Sequence, residues 1–157
     1  MFRIISRETL ATKIRLSRIE GPAIARKALA GQFVVVRIDE NGERIPLTIA
    51  DWDKEEGNVT IVFMQVGTTT EKLALLVSGD SILNFVGPLG RPTEIENFGT
   101  VVCIAGGFAI ATSSEDVKKL CATTTRRLVT FGKHQQQGNR YSGKLRTCQP
   151  RKDGTYV

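Results

Sequence analysis

The segment at residues 44–48 (RIPLT) combines a strand pattern with a residue that strands rarely tolerate. A period of two places Ile45 and Leu47 on one face and Arg44, Pro46 and Thr48 on the other. Proline has no backbone N–H, so Pro46 indicates an edge strand, a bulge or a place where a ligand meets the backbone. A plain edge strand is the simpler interpretation, and a ligand site is the alternative.

A second segment, residues 67–70 (GTTT), precedes a helix-forming stretch. Thr68 and Glu71 have the spacing of a capping box, which predicts a helix that starts here and stops at residues 78–79. Backbone N–H groups at a helix N-terminus favour an anion such as a phosphate. An ordinary N-cap explains the same residues and is the preferred interpretation of the spacing alone.

A third segment, residues 101–107 (VVCIAGG), joins a continuous apolar run to two glycines. Such a run is typical of a strand that is covered on both faces. Glycines directly after it let the backbone approach a pyrophosphate. The pattern is incomplete because Phe108 and Ala109 stand where a richer glycine loop is expected, so a turn without function is an equal alternative.

Other kinds of catalytic or metal site have little support in the sequence. His134 is the single histidine and lies in a polar stretch, so no Ser-His-Asp or Cys-His arrangement is indicated. Cys103, Cys121 and Cys148 lack the spacing of a zinc site or an iron–sulfur cluster. Their odd number argues against a disulfide framework, and no run of about 18 apolar residues indicates a membrane span. We therefore expect a cytoplasmic protein.

The charge is distributed unevenly along the 157 residues. The chain carries 22 Lys and Arg against 16 Asp and Glu, a net charge of +6. Residues 1–111 contain 12 basic and 13 acidic side chains, whereas residues 112–157 contain 10 and 3. The basicity therefore belongs to the C-terminal segment, where charge alone is weak support for binding to nucleic acid.

The first hundred residues alternate strand patterns with turn residues, which is typical of a small antiparallel barrel. Ile14 and Leu16 alternate with polar residues and are expected on the buried face of one strand. A short helix is predicted over residues 23–30, and Asn41-Gly42 predicts a tight hairpin. The run SILNFVGPLG (residues 81–90) is expected to return to strand and to end in a Gly-Pro-Leu-Gly turn.

The pattern changes after Thr100. The order strand, glycine turn, helix and strand over residues 100–131 predicts a βαβ unit whose helix starts at Thr112. From Gly132 onward few apolar residues recur, so loop or disorder is expected.

The order of these segments is more specific than any one of them. GQFVVVRI, RIPLTIADWDKEEGNVTIVF, VGTTTEKL, GDSILNFVGPLG and TVVCIAGG follow one another as in the ferredoxin–NADP reductase-like superfamily, which the chain resembles over residues 1–111. Within it the chain looks most like the electron-transfer subunits of NADH-dependent reduced ferredoxin:NADP oxidoreductase and of dihydroorotate dehydrogenase. The resemblance implies a mainly β fold, with a six-stranded antiparallel Greek-key barrel that binds FAD and a truncated α/β nucleotide-binding segment behind it.

The resemblance also implies which residues would hold cofactors. Residues 46–48 match the motif along the flavin ring and ribityl chain, and residues 62–64 match the strand that lines the flavin. Thr69 and Thr70 match the residues that hold the pyrophosphate, and the two glycines of the third segment match the loop for NAD(P)H. The complete set is Arg44, Pro46, Leu47, Thr48, Val62, Phe63, Met64, Thr69, Thr70, Gly106 and Gly107. Relatives usually carry the arginine directly before the proline, whereas this chain has Ile45 there and Arg44 one position earlier.

The function implied is that of a flavin-dependent electron-transfer subunit of an NAD(P)H oxidoreductase. Electrons would pass from the nicotinamide through FAD to an iron–sulfur partner, either a larger iron–sulfur flavoprotein subunit or a ferredoxin. A second copy of the chain is another candidate partner, since the open sheet edge of a short nucleotide domain needs a cover. No [2Fe–2S] ligands are recognisable, because the distal cysteine cluster of relatives does not follow.

The domain organisation expected from this resemblance has three parts. Residues 1–98 form the barrel, residues 99–131 a partial NAD(P)-binding segment and residues 132–157 a basic tail. The resemblance is expected to stop at Ala111, so the continuation is interpreted as incomplete, altered or out of frame. Two alternatives stay open: a non-catalytic remnant that binds FAD, and a nucleic-acid-binding module that uses the basic tail.

Overall fold

The computed structural model describes residues 1–96 and three strands beyond them, Thr100–Gly106, Arg126–Gly132 and Gly143–Arg146. The chain divides into two compact units, Met1–Thr93 and Glu94–Val157. Each unit is a separate body with its own sheet.

Strands dominate the first unit. Its elements in chain order are β1 Phe2–Ala11, β2 Ile14–Glu20, α1 Pro22–Lys27, β3 Phe33–Arg37, β4 Ile45–Asp53, β5 Asn58–Met64, α2 Thr68–Leu75, β6 Ser81–Ile82 and β7 Asn84–Leu89. The seven strands of this described unit form one antiparallel sheet in the order β6-β1-β2-β5-β4-β3-β7. Because β3, β4 and β5 are consecutive and β2 lies beside β5, four strands have the Greek-key arrangement.

A single residue, Leu83, joins the two ends of this sheet. Strand β6 pairs with β1 at one end of the order, and β7 pairs with β3 at the other. Leu83 lies between β6 and β7, and its N–H donates to the Ile38 carbonyl at 3.0 Å. Two strands so close in the chain can lie at opposite ends only if the sheet curls into a nearly closed barrel. The prediction of six strands is wrong, since this described unit has seven. The turn predicted at residues 87–90 also differs, because β7 continues to Leu89.

The core of the barrel consists of side chains from almost every strand. Strand β5 is buried from Asn58 to Phe63, and the exposed Met64 ends it. Helix α2 adds Leu73 and Ala74 to the same core. The main buried side chains are Ile4, Ile19, Val34, Val36, Ile49, Val59, Ile61, Phe63, Leu73, Ile82 and Phe85. Each large apolar side chain buried in this way contributes about 1.5–3 kcal/mol to folding.

Two local expectations are corrected by the structure. On β2 the fully buried residues are Ser17 and Ile19, whereas Ile14 and Leu16 are only half-buried. Ser17 pairs with Ile61 and Ile19 with Val59, so the register against β5 decides which face of β2 points inward. The alternation of residues within β2 does not show how β2 pairs with β5, so the sequence alone did not indicate the buried face.

The tight hairpin at Asn41-Gly42 is the second correction. Strands β3 and β4 do pair antiparallel, but residues 38–44 separate them. The Asp39 carboxylate accepts a hydrogen bond from the Asn41 N–H at 2.9 Å, and the Asp39 carbonyl accepts one from the Gly42 N–H at 3.0 Å. The Arg37 guanidinium donates to the Gly42 carbonyl at 3.2 Å. These bonds organise a longer loop around Asp39.

The second unit contains strands β8 Thr100–Gly106, β9 Arg126–Gly132 and β10 Gly143–Arg146 in the order β10-β9-β8. Strands β8 and β9 are parallel, as the βαβ prediction requires, and β9 and β10 are antiparallel. The helix predicted from Thr112 lies outside the described residues. Strand β10 differs from the loop or disorder expected after Gly132.

Among the helices that the structure describes, none is long and apolar enough to span a membrane.

Candidate functional site

Strands β4 and β5 separate at one end of the barrel. Their ladder runs from Asp53 paired with Asn58 to Ile49 paired with Ile61, with an irregularity between Ile49 and Asp51. Beyond it, residues 45–48 of β4 pair with β3, and residues 62–64 of β5 pair with β2. Within the described pairing no rung joins these two segments to each other. We call this opening the β4–β5 notch (residues 45–48 and 62–64).

The β4 side of the notch has the two faces that the sequence predicts. Ile45 and Leu47 pack against the hydrophobic core, which confirms their inward face. Pro46 is exposed and Thr48 is half-buried on the other face, and the exposed Arg44 directly precedes the strand. Because Pro46 has no N–H to donate, it suits a segment that has a strand partner on one side only.

The β5 side is mostly interior. The side chains of Val62 and Phe63 are 3% and 1% exposed, so a ligand in the notch would meet mainly their backbone. Met64 is 38% exposed and supplies an apolar surface at the end of the strand. The notch thus offers backbone and apolar contacts of the kind that hold a flat aromatic ring.

Thr70 caps the N-terminus of helix α2, which three residues separate from the end of β5. Its hydroxyl oxygen accepts hydrogen bonds from the Val66 and Gly67 N–H groups, both at 3.1 Å, and donates to the Gly67 carbonyl at 2.9 Å. The N-cap is therefore Gly67 and its partner is Thr70, whereas the sequence indicates a capping box of Thr68 and Glu71. The reason is that Gly67 already has the extended conformation of an N-cap residue.

The first turn of α2 presents backbone donors. The first intrahelical bond runs from the Glu71 N–H to the Gly67 carbonyl at 2.9 Å, so the N–H groups of residues 68–70 precede it. A Cβ added to Gly67 would meet no atom within 4 Å, and its φ of −163° is open to any residue. The chain itself therefore does not require glycine here, and the open space lets an outside group approach these donors.

The helix N-terminus lies beside the loop that leads into β4. The Thr69 hydroxyl donates to a carboxylate oxygen of Glu43 at 3.4 Å. Glu43 directly precedes Arg44, and residues 65–67 are all that separates Met64 from the helix. The structure therefore brings the first two sequence segments together into one site, with the notch on one side and the helix N-terminus on the other.

The remaining predicted site residues belong to the second unit. Gly106 is the last residue of β8, and Gly107 lies outside the described residues. Gly67 belongs to the predicted segment of residues 67–70, although it was not among the predicted cofactor-binding residues. The sequence did not indicate Glu43, because its contact with Thr69 spans 26 positions and has no local signal.

Similarity to known proteins agrees with this geometry. No family model matches the chain. A dihydroorotate dehydrogenase B (NAD(+)) electron transfer subunit homolog of Thermotoga maritima is 53% identical over 94 residues, which cover 60% of this chain and 33% of that protein. The structure of an NADH-dependent reduced ferredoxin-NADP oxidoreductase matches with a TM-score of 0.81 and 41% identity, over 85% of this chain and 49% of that one. The resemblance to the ferredoxin–NADP reductase-like superfamily is confirmed.

The ferredoxin reductase-like match extends further along the chain than predicted. A dihydroorotate dehydrogenase B (NAD(+)) electron transfer subunit of Lysinibacillus sphaericus is 28% identical over 136 residues, which cover 83% of this chain and 52% of that protein. Residues 1–111 are only about 71% of the 157 residues, so the similarity passes Ala111 and the expected stop there is wrong. The chain nevertheless spans only about a third to a half of the relatives it matches.

Proposed function

We propose that the chain binds FAD at the β4–β5 notch and the N-terminus of α2, and that it acts as an electron-transfer subunit of a flavin-dependent NAD(P)H oxidoreductase. The observation that carries this proposal is the separation of β4 and β5 directly beside an open helix N-terminus. The names of the relatives, which are electron-transfer subunits and a reduced ferredoxin-NADP oxidoreductase, support the kind of reaction.

The residues of the site fit the two parts of FAD. The ring system needs an apolar surface and a backbone edge. Pro46 and Met64 offer the surface, and the notch offers the edge, because its two segments do not pair with each other. The pyrophosphate needs donors and room for close approach. Both are present at the first turn of α2, where a Cβ on Gly67 would meet only open space.

The chain's own groups would bind and orient the cofactor. The backbone of Leu47 and Thr48 would contact the ring and its ribityl chain, and the N–H groups of residues 68–70 would donate to the pyrophosphate. Thr69 adds a hydroxyl donor, and Arg44 adds a positive charge near Glu43 at the same end. When bound, FAD supplies hydride acceptance from NAD(P)H and the release of single electrons, so no acid or base of the chain is required.

The remaining expectations complete the proposal. Gly106 and Gly107 would belong to the NAD(P)H loop, and the electron acceptor would be an iron–sulfur flavoprotein subunit or a ferredoxin. We place the chain in the cytoplasm, where a homodimer is a further candidate assembly. This chain spans no more than about half of each of these relatives, so the nicotinamide site, the electron acceptor and the assembly are proposals for the whole protein.

Absorbance of the purified full chain tests the proposal. We expect a yellow protein with oxidised-flavin bands, or a colourless one that takes up added FAD with a stoichiometry near one. Stopped-flow mixing with NADH and then with NADPH should bleach the bound flavin. A protein that takes up no FAD contradicts the proposal at its first step.

A second candidate is a remnant that binds FAD but is not reduced by nicotinamide. The stopped-flow experiment separates the two candidates, since a flavin that binds but does not bleach with either nicotinamide identifies the remnant.

A further inference from the structure

Glu43 places a negative charge at the position best suited to an anion. Its carboxylate oxygen accepts the hydrogen bond of the Thr69 hydroxyl at 3.4 Å, and Thr69 belongs to the first turn of α2. The donors and the positive end of the helix dipole that would attract a pyrophosphate therefore also attract Glu43. A carboxylate and a pyrophosphate at one helix N-terminus repel each other.

We infer that Glu43 limits the affinity of this site for FAD. The inference rests on the proposed function, because it concerns the phosphate part of the same site. When FAD binds, the Glu43 side chain must leave Thr69 or remain close to the pyrophosphate charge. Either change opposes binding, so Glu43 sets the affinity and the exchange of the flavin through the phosphate part of the ligand.

Arg44 is the neighbouring positive charge. It directly follows Glu43 and precedes β4, and its side chain is exposed. Among the described contacts, Glu43 and not Arg44 bonds to the first turn of α2, so Glu43 is the charge held at the helix N-terminus. Glu43 is exposed as well, so its replacement removes a charge without opening the core.

The test is the affinity of Glu43→Gln for FAD and for riboflavin, which lacks the pyrophosphate. Quenching of flavin fluorescence gives both dissociation constants. We expect Glu43→Gln to bind FAD roughly threefold to tenfold more tightly than the wild type at low salt, with riboflavin affinity unchanged. The difference for FAD should shrink when the ionic strength rises from about 0.05 M to about 0.5 M.

Glu20→Gln is the matched control. Glu20 is exposed and pairs with Asn58, at the opposite end of β5 from Met64 and α2. The Glu20→Gln variant loses one negative charge at the far end of the barrel, so its FAD affinity should equal that of the wild type. Circular dichroism melting of both variants checks that the fold is intact.

Three results would overturn the inference. FAD affinity that is unchanged or weaker in Glu43→Gln would show that the carboxylate does not oppose binding. An equal gain for riboflavin would show that the effect is not electrostatic. An equal gain in Glu20→Gln would show that only the net charge matters. If instead the wild type binds no flavin at all, the proposed function fails together with the inference that rests on it.

Discussion

The hydroxyl of Thr69 donates a hydrogen bond to the carboxylate of Glu43 at 3.4 Å, across 26 positions of sequence. This contact shows that the α2 N-terminus lies next to the loop that leads into β4. A helix end suited to a pyrophosphate is therefore close to the opening between β4 and β5. The proposed binding of FAD requires that proximity, because FAD needs both parts in one place.

Thr70 should matter for stability. Its hydroxyl accepts hydrogen bonds from the Val66 and Gly67 N–H groups and donates one to the Gly67 carbonyl. Thr70→Val therefore removes three hydrogen bonds from the helix cap. We expect the free energy of unfolding to fall by about 1–2 kcal/mol, measured by urea denaturation. Thr70→Ser keeps the hydroxyl and should stay within about 0.5 kcal/mol of the wild type. Equal stability of the Val and Ser variants would contradict this assignment.

Thr69 should matter for ligand affinity instead. Its hydroxyl contacts only an exposed carboxylate in the structure, so Thr69→Val should change the free energy of unfolding by less than about 0.5 kcal/mol. Loss of a donor to a charged phosphate should weaken FAD binding about tenfold or more. A fluorescence titration measures this change, with Thr69→Ser as the control. Weakened riboflavin binding to the same extent would argue against contact with the pyrophosphate.

Gly67 should matter because of the space beside it. A Cβ at this position meets no atom of the chain within 4 Å, so Gly67→Ala should fold with a stability loss of no more than about 1 kcal/mol. The added methyl group would lie where the pyrophosphate approaches, and we expect FAD affinity to fall about tenfold. Gly57→Ala provides a contrast. There φ is +67°, and the new Cβ would lie 2.9 Å from the Pro22 Cβ. The Gly57→Ala variant should therefore lose stability, while its FAD affinity stays unchanged.

Replacing Arg44 should weaken FAD binding, whereas replacing Arg37 should lower stability. Arg44 is exposed beside the notch, and Arg44→Gln should weaken FAD binding about threefold to tenfold without lowering the melting temperature. Arg37 donates to the carbonyls of Glu40 and Gly42, so Arg37→Gln should loosen the loop before β4 and reduce stability by about 1 kcal/mol. Thermal melts and flavin titrations of both variants test whether Arg44 affects FAD affinity and Arg37 affects stability. An Arg44→Gln variant with wild-type affinity at low salt would remove Arg44 from the site.

The sequence predicts those features that depend on neighbours in the chain. The inward face of Ile45 and Leu47 follows from alternation, and the start of α2 follows from its threonines and glycine. Features that depend on partners across the barrel are missed. The inward face of β2 depends on the pairing of Ser17 with Ile61, and the contact of Glu43 with Thr69 depends on how the barrel closes.

The pairing of residues 81–90 is missed for a related reason. Their sequence predicts a strand that ends in a turn, yet β6 pairs with β1 and β7 with β3. Only the closure of the barrel brings both ends of the sheet to the two sides of Leu83. The local sequence pattern cannot show that neighbouring residues of one run pair with strands at opposite ends of the sheet.

Hydrogen exchange of the full chain with and without FAD tests the location of the flavin most directly. Bound FAD should slow exchange at the amides of Leu47, Thr48 and residues 68–70, with no change at β2 residues 17–20 on the far end of the barrel. Riboflavin should protect the β4 amides but not those of the helix. Protection confined to other strands, or none at saturating FAD, would contradict the account.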